Sequence, residues 1–170
     1  LIGLWLTKYI IVTYIKWCPK DIKRFIQYTI TMNAIDLVKR EPIYVKKGTP
    51  AIEAVRLMSK ANTGLVVIID ETGKVSGVVS ERDIIRAMAN GIDPSTPVDR
   101  IGTMGSIVKV HEKDPILKVA ALMAERNVRH VVVVDDDNKL RGVISIRDLL
   151  REYDALKELA RKPLIPQTKE

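Results

Sequence analysis

Two short segments of this sequence carry one pattern with chemical potential, Gly-x-x-Ser-x-x-Asp. They are Gly77-Val78-Val79-Ser80-Glu81-Arg82-Asp83 and Gly142-Val143-Ile144-Ser145-Ile146-Arg147-Asp148. Each stands where a run of apolar residues gives way to a helical pattern. A serine before a helix, with an acid three residues later, resembles a capping box that satisfies free N–H groups of the first turn. Capping explains Ser and Asp and needs neither Gly nor Arg. The same geometry suits a nucleotide. A helix N-terminus offers free N–H groups and partial positive charge to a phosphate, and the Ser hydroxyl adds a donor. Arg82 or Arg147 supplies countercharge. An aspartate repels phosphate but accepts from the two vicinal hydroxyls of a ribose, and glycine lets a ligand approach the strand closely. All four residue types in both segments shift the balance toward a nucleotide site.

The segments are parts of a longer duplication. Displacing the sequence by 65 positions lays Val45–Arg86 on Val110–Arg151 without a gap, and 15 of the 42 aligned residues are identical. They include Pro50/Pro115, Leu57/Leu122, Met58/Met123, Asn62/Asn127 and Asp70/Asp135. Each copy reads β-α-β-β-α. A short strand, 43–46 or 107–110, leads to a proline suited to the first turn of a helix. Ala51, Ala54, Val55 and Met58, matched by Ile116, Val119, Ala120 and Met123, follow helical spacing. The runs 65–69 and 131–134 are too short for helices and rich in β-branched residues. Acidic turns and a third strand follow, and a helix closes each copy. Strand, helix, strand predicts a parallel pair with a right-handed crossover, and the third strand returns antiparallel. A unit of about sixty residues is marginal alone, so the two are expected to bury a sheet face against each other. The connection 90–105, dense in Gly and Pro, reads as a loop without an element of its own.

Two tandem units with this motif resemble a cystathionine-β-synthase (CBS) domain pair, over about residues 33–152. The second copy matches best, through Asn127-Val128-Arg129-His130 and the run to Asp135, then Gly142–Asp148. The resemblance implies an α+β fold, with the first CBS repeat at 32–95, the second at 96–156, and a helix end with a polar tail at 157–170. It implies a non-catalytic sensory module that binds adenosine-containing ligands between the repeats. AMP is the foremost candidate, then ADP and ATP, with S-adenosylmethionine in some members. On the matched positions Asp83 and Asp148 would hold ribose hydroxyls, and Ser80 and Ser145 would contact ribose or phosphate. Val78 and Val143 would pack on adenine, and Ile43 and Val108 would line the base pocket. Arg129 and His130 match positions whose basic side chains reach phosphates. Members commonly assemble as flat dimers of two pairs, which implies a homodimer and an effector protein this sequence does not identify.

The copies differ where the phosphate would lie. Gly64-Leu65 stands in place of Arg129-His130, and Glu81 in place of Ile146, so the two sites are expected to be unequal. Other chemistry is thinly supplied. One cysteine, Cys18, excludes a disulfide framework, and two histidines leave little for a metal centre. Asp135-Asp136-Asp137-Asn138 lacks the spacing of a calcium loop and reads as a solvated hairpin turn. No base or oxyanion donor stands near Ser80 or Ser145, so no enzyme is expected.

The net charge of +7 is unevenly spread: residues 1–31 carry +4, and the remaining 139 residues carry only +3. With six of the eight aromatics also in residues 1–31, that segment differs from the body. It fits an interfacial helix, a partner-docking extension, or sequence upstream of a natural start at Met32; the compositional break favours the last. A membrane partner is expected only if that segment belongs to the protein. The balanced body, without an aromatic stacking platform, argues against nucleic acid. Nothing suggests secretion, and the cytoplasm is the expected compartment.

Overall fold

The computed structural model describes residues 31–161; the expectations for the N-terminal segment (Thr31 apart) and for the tail from residue 162 fall outside the described residues. Two small sheets with helices form the α+β fold anticipated from the repeat. After a 3-10 turn at Ala34–Leu37, the first repeat runs β1 (Tyr44–Lys46), α1 (Ala51–Ala61), β2 (Leu65–Ile69), β3 (Val75–Ser80) and α2 (Glu81–Ala89). A short helix α3 (Val98–Ile101) and a strand β4 (Thr103–Met104) follow. The second repeat runs β5 (Lys109–His111), α4 (Ile116–Glu125), β6 (His130–Val134), β7 (Leu140–Ser145) and α5 (Ile146–Arg161). In both sheets the first strand pairs parallel with the second, and the third returns antiparallel. The register slips at equivalent places, Ile68/Ile69 and Val133/Val134.

The identical residues of the duplication now have local reasons. Pro50 and Pro115 sit one residue before their helices, at the N-cap, with φ −58° and −65°. Asn62 and Asn127 turn the chain out of α1 and α4 at φ +49° and +50°, a left-handed conformation that Asn tolerates better than other residues with a Cβ. Asp135 accepts from the N–H groups of Asp137 and Lys139, and Asp70 from those of Thr72 and Lys74. Each carboxylate thereby closes the hairpin between its second and third strands.

Apart from His130 at the start of β6, the middle strands are apolar because both of their faces are buried. Val66, Ile68 and Val79 face the helices of the first unit, and Val131, Val133 and Ile144 those of the second. Leu65, Val67, Val75, Val132 and Val134 form a third cluster in which the two sheets meet. Asn138 joins the units at its rim, its backbone C=O accepting from Val75 N at 3.0 Å and its side-chain amide donating to Val75 O at 3.0 Å.

The connection 90–105 differs from expectation. It supplies α3, and its β4 adds an edge strand to the first sheet opposite Gly77 and Val78. Val98 is fully buried in the first unit's core, with Ile101 and Met104 packed alongside. Apolar residues at every third position decided the structure there; Pro97 stands at the N-cap of α3, and Gly102, between α3 and β4, packs against the backbone of Val78. The opposite exchange occurs at the N-terminal turn. Met32, Ala34 and Leu37 lie in the core of the second unit, and Ala34 N donates to Asp114 O at 2.7 Å. The segment leading into each repeat thus closes the core of the other.

Candidate functional site

The Ser-x-x-Asp segment of α2 forms a full capping box, and that of α5 shows the half in which Asp148 accepts from Ser145. At α2, Asp83 Oδ2 accepts from Ser80 N at 2.9 Å and Ser80 Oγ at 2.6 Å, while Asp83 N donates to Ser80 Oγ at 3.4 Å. At α5, Asp148 Oδ2 accepts from Ser145 N and Ser145 Oγ, each at 2.7 Å. One carboxylate oxygen therefore serves the cap and the other remains. Asp83 Oδ1 faces the exposed guanidinium of Arg86 at 3.7 Å. Asp148 Oδ1 has no hydrogen-bond or ion-pair partner among the described residues.

Each capped helix start opens on a cleft between the repeats. The Asp148 cleft, about 310 Å³, gathers Val143, Ser145, Arg147 and Asp148 of the second repeat with Ile43 of the first. The Asp83 cleft, about 340 Å³, gathers Val78, Ser80, Arg82 and Asp83 with Val108. Ile43 thus completes the second motif and Val108 the first, an exchange that follows from the crossed packing of the repeats. These volumes lie near the lower end of small-molecule sites, about 300–1,000 Å³. Sequence reasoning missed Lys39 and Arg40, which bring two further cations to the Asp148 cleft. Their place a few residues before Ile43 was the available signal.

Gly77 and Gly142 are not in the cleft walls, contrary to the expectation that they admit a ligand. The space a Cβ would take on Gly77 holds the side chain of Met104 and the carbonyl of Thr103. On Gly142 that space holds both methyl groups of Val38. In each repeat it is the protein's own lead-in segment that approaches the glycine, so these residues serve packing.

Arg129, His130 and Glu81 stand differently from the simple contrast between copies. All three line both clefts, together with Gly64 and Leu65. Glu81 N donates to Gly64 O at 3.1 Å and Ile146 N to Arg129 O at 2.9 Å, so each helix start is bonded to the lead-in of its repeat's second strand. Residues that differ between the copies therefore form one common wall rather than separating a better cleft from a poorer one.

Burial pushes the imidazole of His130 below its ordinary value; Arg129 and Arg147 push the same way, against Glu81 and Asp148. The unfolded chain then holds this proton at pH values where the folded chain has released it, so stability rises with pH across that window. The contribution is complete above about pH 6.5, the ordinary histidine value, and is lost as pH falls through it toward the lower folded value. His130→Gln should flatten the change in urea midpoint between about pH 7.5 and about pH 5.5. A pH dependence unchanged in the variant rejects this assignment.

The comparisons with known proteins agree with this architecture. The family model of the CBS domain matches residues 34–90 and 92–155. A CBS domain protein from Pyrobaculum aerophilum, solved in complex with AMP, superposes with a TM-score of 0.69 at 35% identity, covering 77% of this chain and all of that one. A CBS domain pair in complex with 5'-methylthioadenosine and S-adenosyl-L-methionine gives 0.67 at 27% identity, over 74% of this chain and 98% of the other. An uncharacterized 17.7 kDa protein of Acidianus ambivalens is 34% identical over 64% of this chain and 66% of its own length. The next curated relatives are matched over only 23% and 43% of theirs. With both halves of its duplication matched by that model, the chain belongs to the CBS domain family, as a tandem pair.

Proposed function

We propose that the chain is a regulatory module that binds an adenosine-containing ligand in its clefts, AMP foremost, then ADP or ATP. The observation that carries this reading is the composition of the Asp148 cleft. One wall offers a capped helix start with a spare carboxylate oxygen, suited to ribose hydroxyls. The other walls offer apolar Val143 and Ile43 for a base, and Lys39, Arg40, Arg129 and Arg147 for phosphate. Because Val143 and Ile43 come from different repeats, a ligand between them bears on how the repeats pack. It shifts that packing only through unequal affinity for two arrangements. The AMP complex of the Pyrobaculum protein supports the choice of first ligand, and a second neighbour's complex with S-adenosyl-L-methionine keeps that molecule on the panel.

The functional unit in this reading is a homodimer acting on an effector protein, in the cytoplasm. Ile85 and Met88 on α2, and their duplicates Leu150 and Tyr153 on α5, are half or more exposed. Equivalent apolar faces on the two repeats suit the isologous pairing of a second copy. Among the described residues no helix is long and apolar enough to cross a membrane.

Thermal unfolding of the full chain with AMP, ADP, ATP, NAD and S-adenosyl-L-methionine tests the reading. A ligand at a hundredfold its Kd should add about 2.7 kcal/mol of stability. A shift with AMP largest is the expected result, from a sample that sediments as a dimer. No shift with any of the five, from folded protein, rejects the binding function, and a monomer rejects the pairing.

A further inference from the structure

We propose that the two clefts bind phosphate-bearing ligands anti-cooperatively, because they share a single charged wall. This rests on the nucleotide-binding reading and adds to it how the two clefts depend on each other. Of the charged side chains lining the Asp148 cleft and the Asp83 cleft, Arg129 and Glu81 are common to both, and His130 stands beside them. The carboxylate of Glu81 lies folded over the backbone of Gly64, where a Cβ on that residue would meet it, so it faces both clefts across a residue without a side chain. Arg129 is tied to the start of α5 through its carbonyl, which accepts from Ile146 N at 2.9 Å.

Each cleft has cations of its own, Lys39, Arg40 and Arg147 in one and Arg82 and Arg86 in the other, but Arg129 is the guanidinium common to both, with the Glu81 carboxylate beside it. A phosphate in the first cleft to fill draws Arg129 toward itself. The second phosphate then meets Glu81 with Arg129 turned toward the other cleft, together with the charge of the first ligand across the wall. Like charges at short range in a partly desolvated site repel more strongly than in water. An adenosine without phosphate brings no such charge and has no reason to feel its twin. The Asp148 cleft, where Asp148 keeps a carboxylate oxygen for the ligand while Asp83 Oδ1 already faces Arg86, fills first.

Unequal clefts alone would also give two dissociation constants, so the test isolates the coupling. AMP and, separately, adenosine are titrated calorimetrically into the full chain, with bound ligand counted by equilibrium dialysis. The same is done for Asp148→Ala, which disables the first cleft, and for Glu81→Gln. The Asp83 cleft of Asp148→Ala is expected to bind AMP between about 5- and about 150-fold more tightly than the second step of the unaltered chain, the usual size of coupling between sites. Adenosine should show no such difference, and Glu81→Gln should tighten the second AMP step. A single AMP site in the unaltered chain, with a new one in Asp148→Ala, is the strong limit of the same result. A second step equal to that of the variant overturns the coupling and leaves nucleotide binding standing. One AMP site in the unaltered chain and none in Asp148→Ala also overturns it, since the Asp83 cleft is then no site. No AMP binding anywhere overturns this inference together with the reading beneath it.

Discussion

Leu37→Ala is expected to lower the unfolding free energy by about 2–5 kcal/mol, the range for truncating a fully buried leucine. Leu37 precedes β1 of the first repeat in sequence, yet it is wholly buried among Val110, Ile116, Val119, Met123, Val131 and Ile144 of the second. Its turn is fastened there by Ala34 N to Asp114 O at 2.7 Å, Ile35 N to Glu112 O at 3.0 Å, and Ile116 N to Met32 O at 3.0 Å. Removing the isopropyl end of the side chain leaves a cavity, and the surrounding β-branched valines are too stiff at χ1 to collapse into it. A domain of this size has about 5–15 kcal/mol to lose, so the variant folds and its urea midpoint can be read. The result also decides what kind of unit this is. A loss below about 1 kcal/mol would mean that the N-terminal turn only rests on the second repeat. A loss in the expected range makes residues 32–37 part of that repeat's core, and ties the two repeats into one cooperative fold.

The duplication made most of this architecture legible. A 65-residue period, strict enough to need no gap, predicted every main strand and helix twice, and a strand with two buried faces reads as apolar whichever partner covers it. Hidden from the sequence were contacts made across the approximate symmetry. Comparing copies position by position sets Glu81 against Ile146 and Arg129 against Gly64. Such a comparison reports differences and cannot report that the differing residues meet at one wall. The glycines failed for a related reason. Gly-x-x-Ser-x-x-Asp says that something approaches the strand closely, but a ligand and the protein's own Val38 or Met104 leave the same trace. The element at 98–104 was obscured by its flanking Gly and Pro, although Val98, Ile101 and Met104 already carried the spacing of a short buried element.

The second large effect is expected at Asp148, where the same carboxylate caps a helix and offers an oxygen to the cleft. Asp148→Ala removes the acceptor of Ser145 N and Ser145 Oγ, and the unliganded protein should lose about 0.5–2 kcal/mol, as when other helix caps are deleted. If the remaining oxygen holds ribose hydroxyls, the variant also loses hydrogen bonds to a charged group, each worth about 1.5–3 kcal/mol. The stabilisation of about 2.7 kcal/mol expected from AMP at a hundredfold its Kd would then fall away from that cleft. The two losses separate by experiment. Asp83→Ala deletes an equivalent cap and should cost the unliganded protein a similar amount. It should spare more of the response to AMP, because Asp83 Oδ1 already faces Arg86 at 3.7 Å and its cleft lacks Lys39 and Arg40. The amide oxygen of an Asn can still accept from Ser145 N and Ser145 Oγ, so Asp148→Asn should keep most of the stability while weakening the response. Thermal unfolding of the three variants with and without AMP distinguishes the roles. An AMP shift in Asp148→Ala as large as in the unaltered chain would reduce Asp148 to a helix cap, and would move the ribose site to Asp83 or out of these clefts altogether.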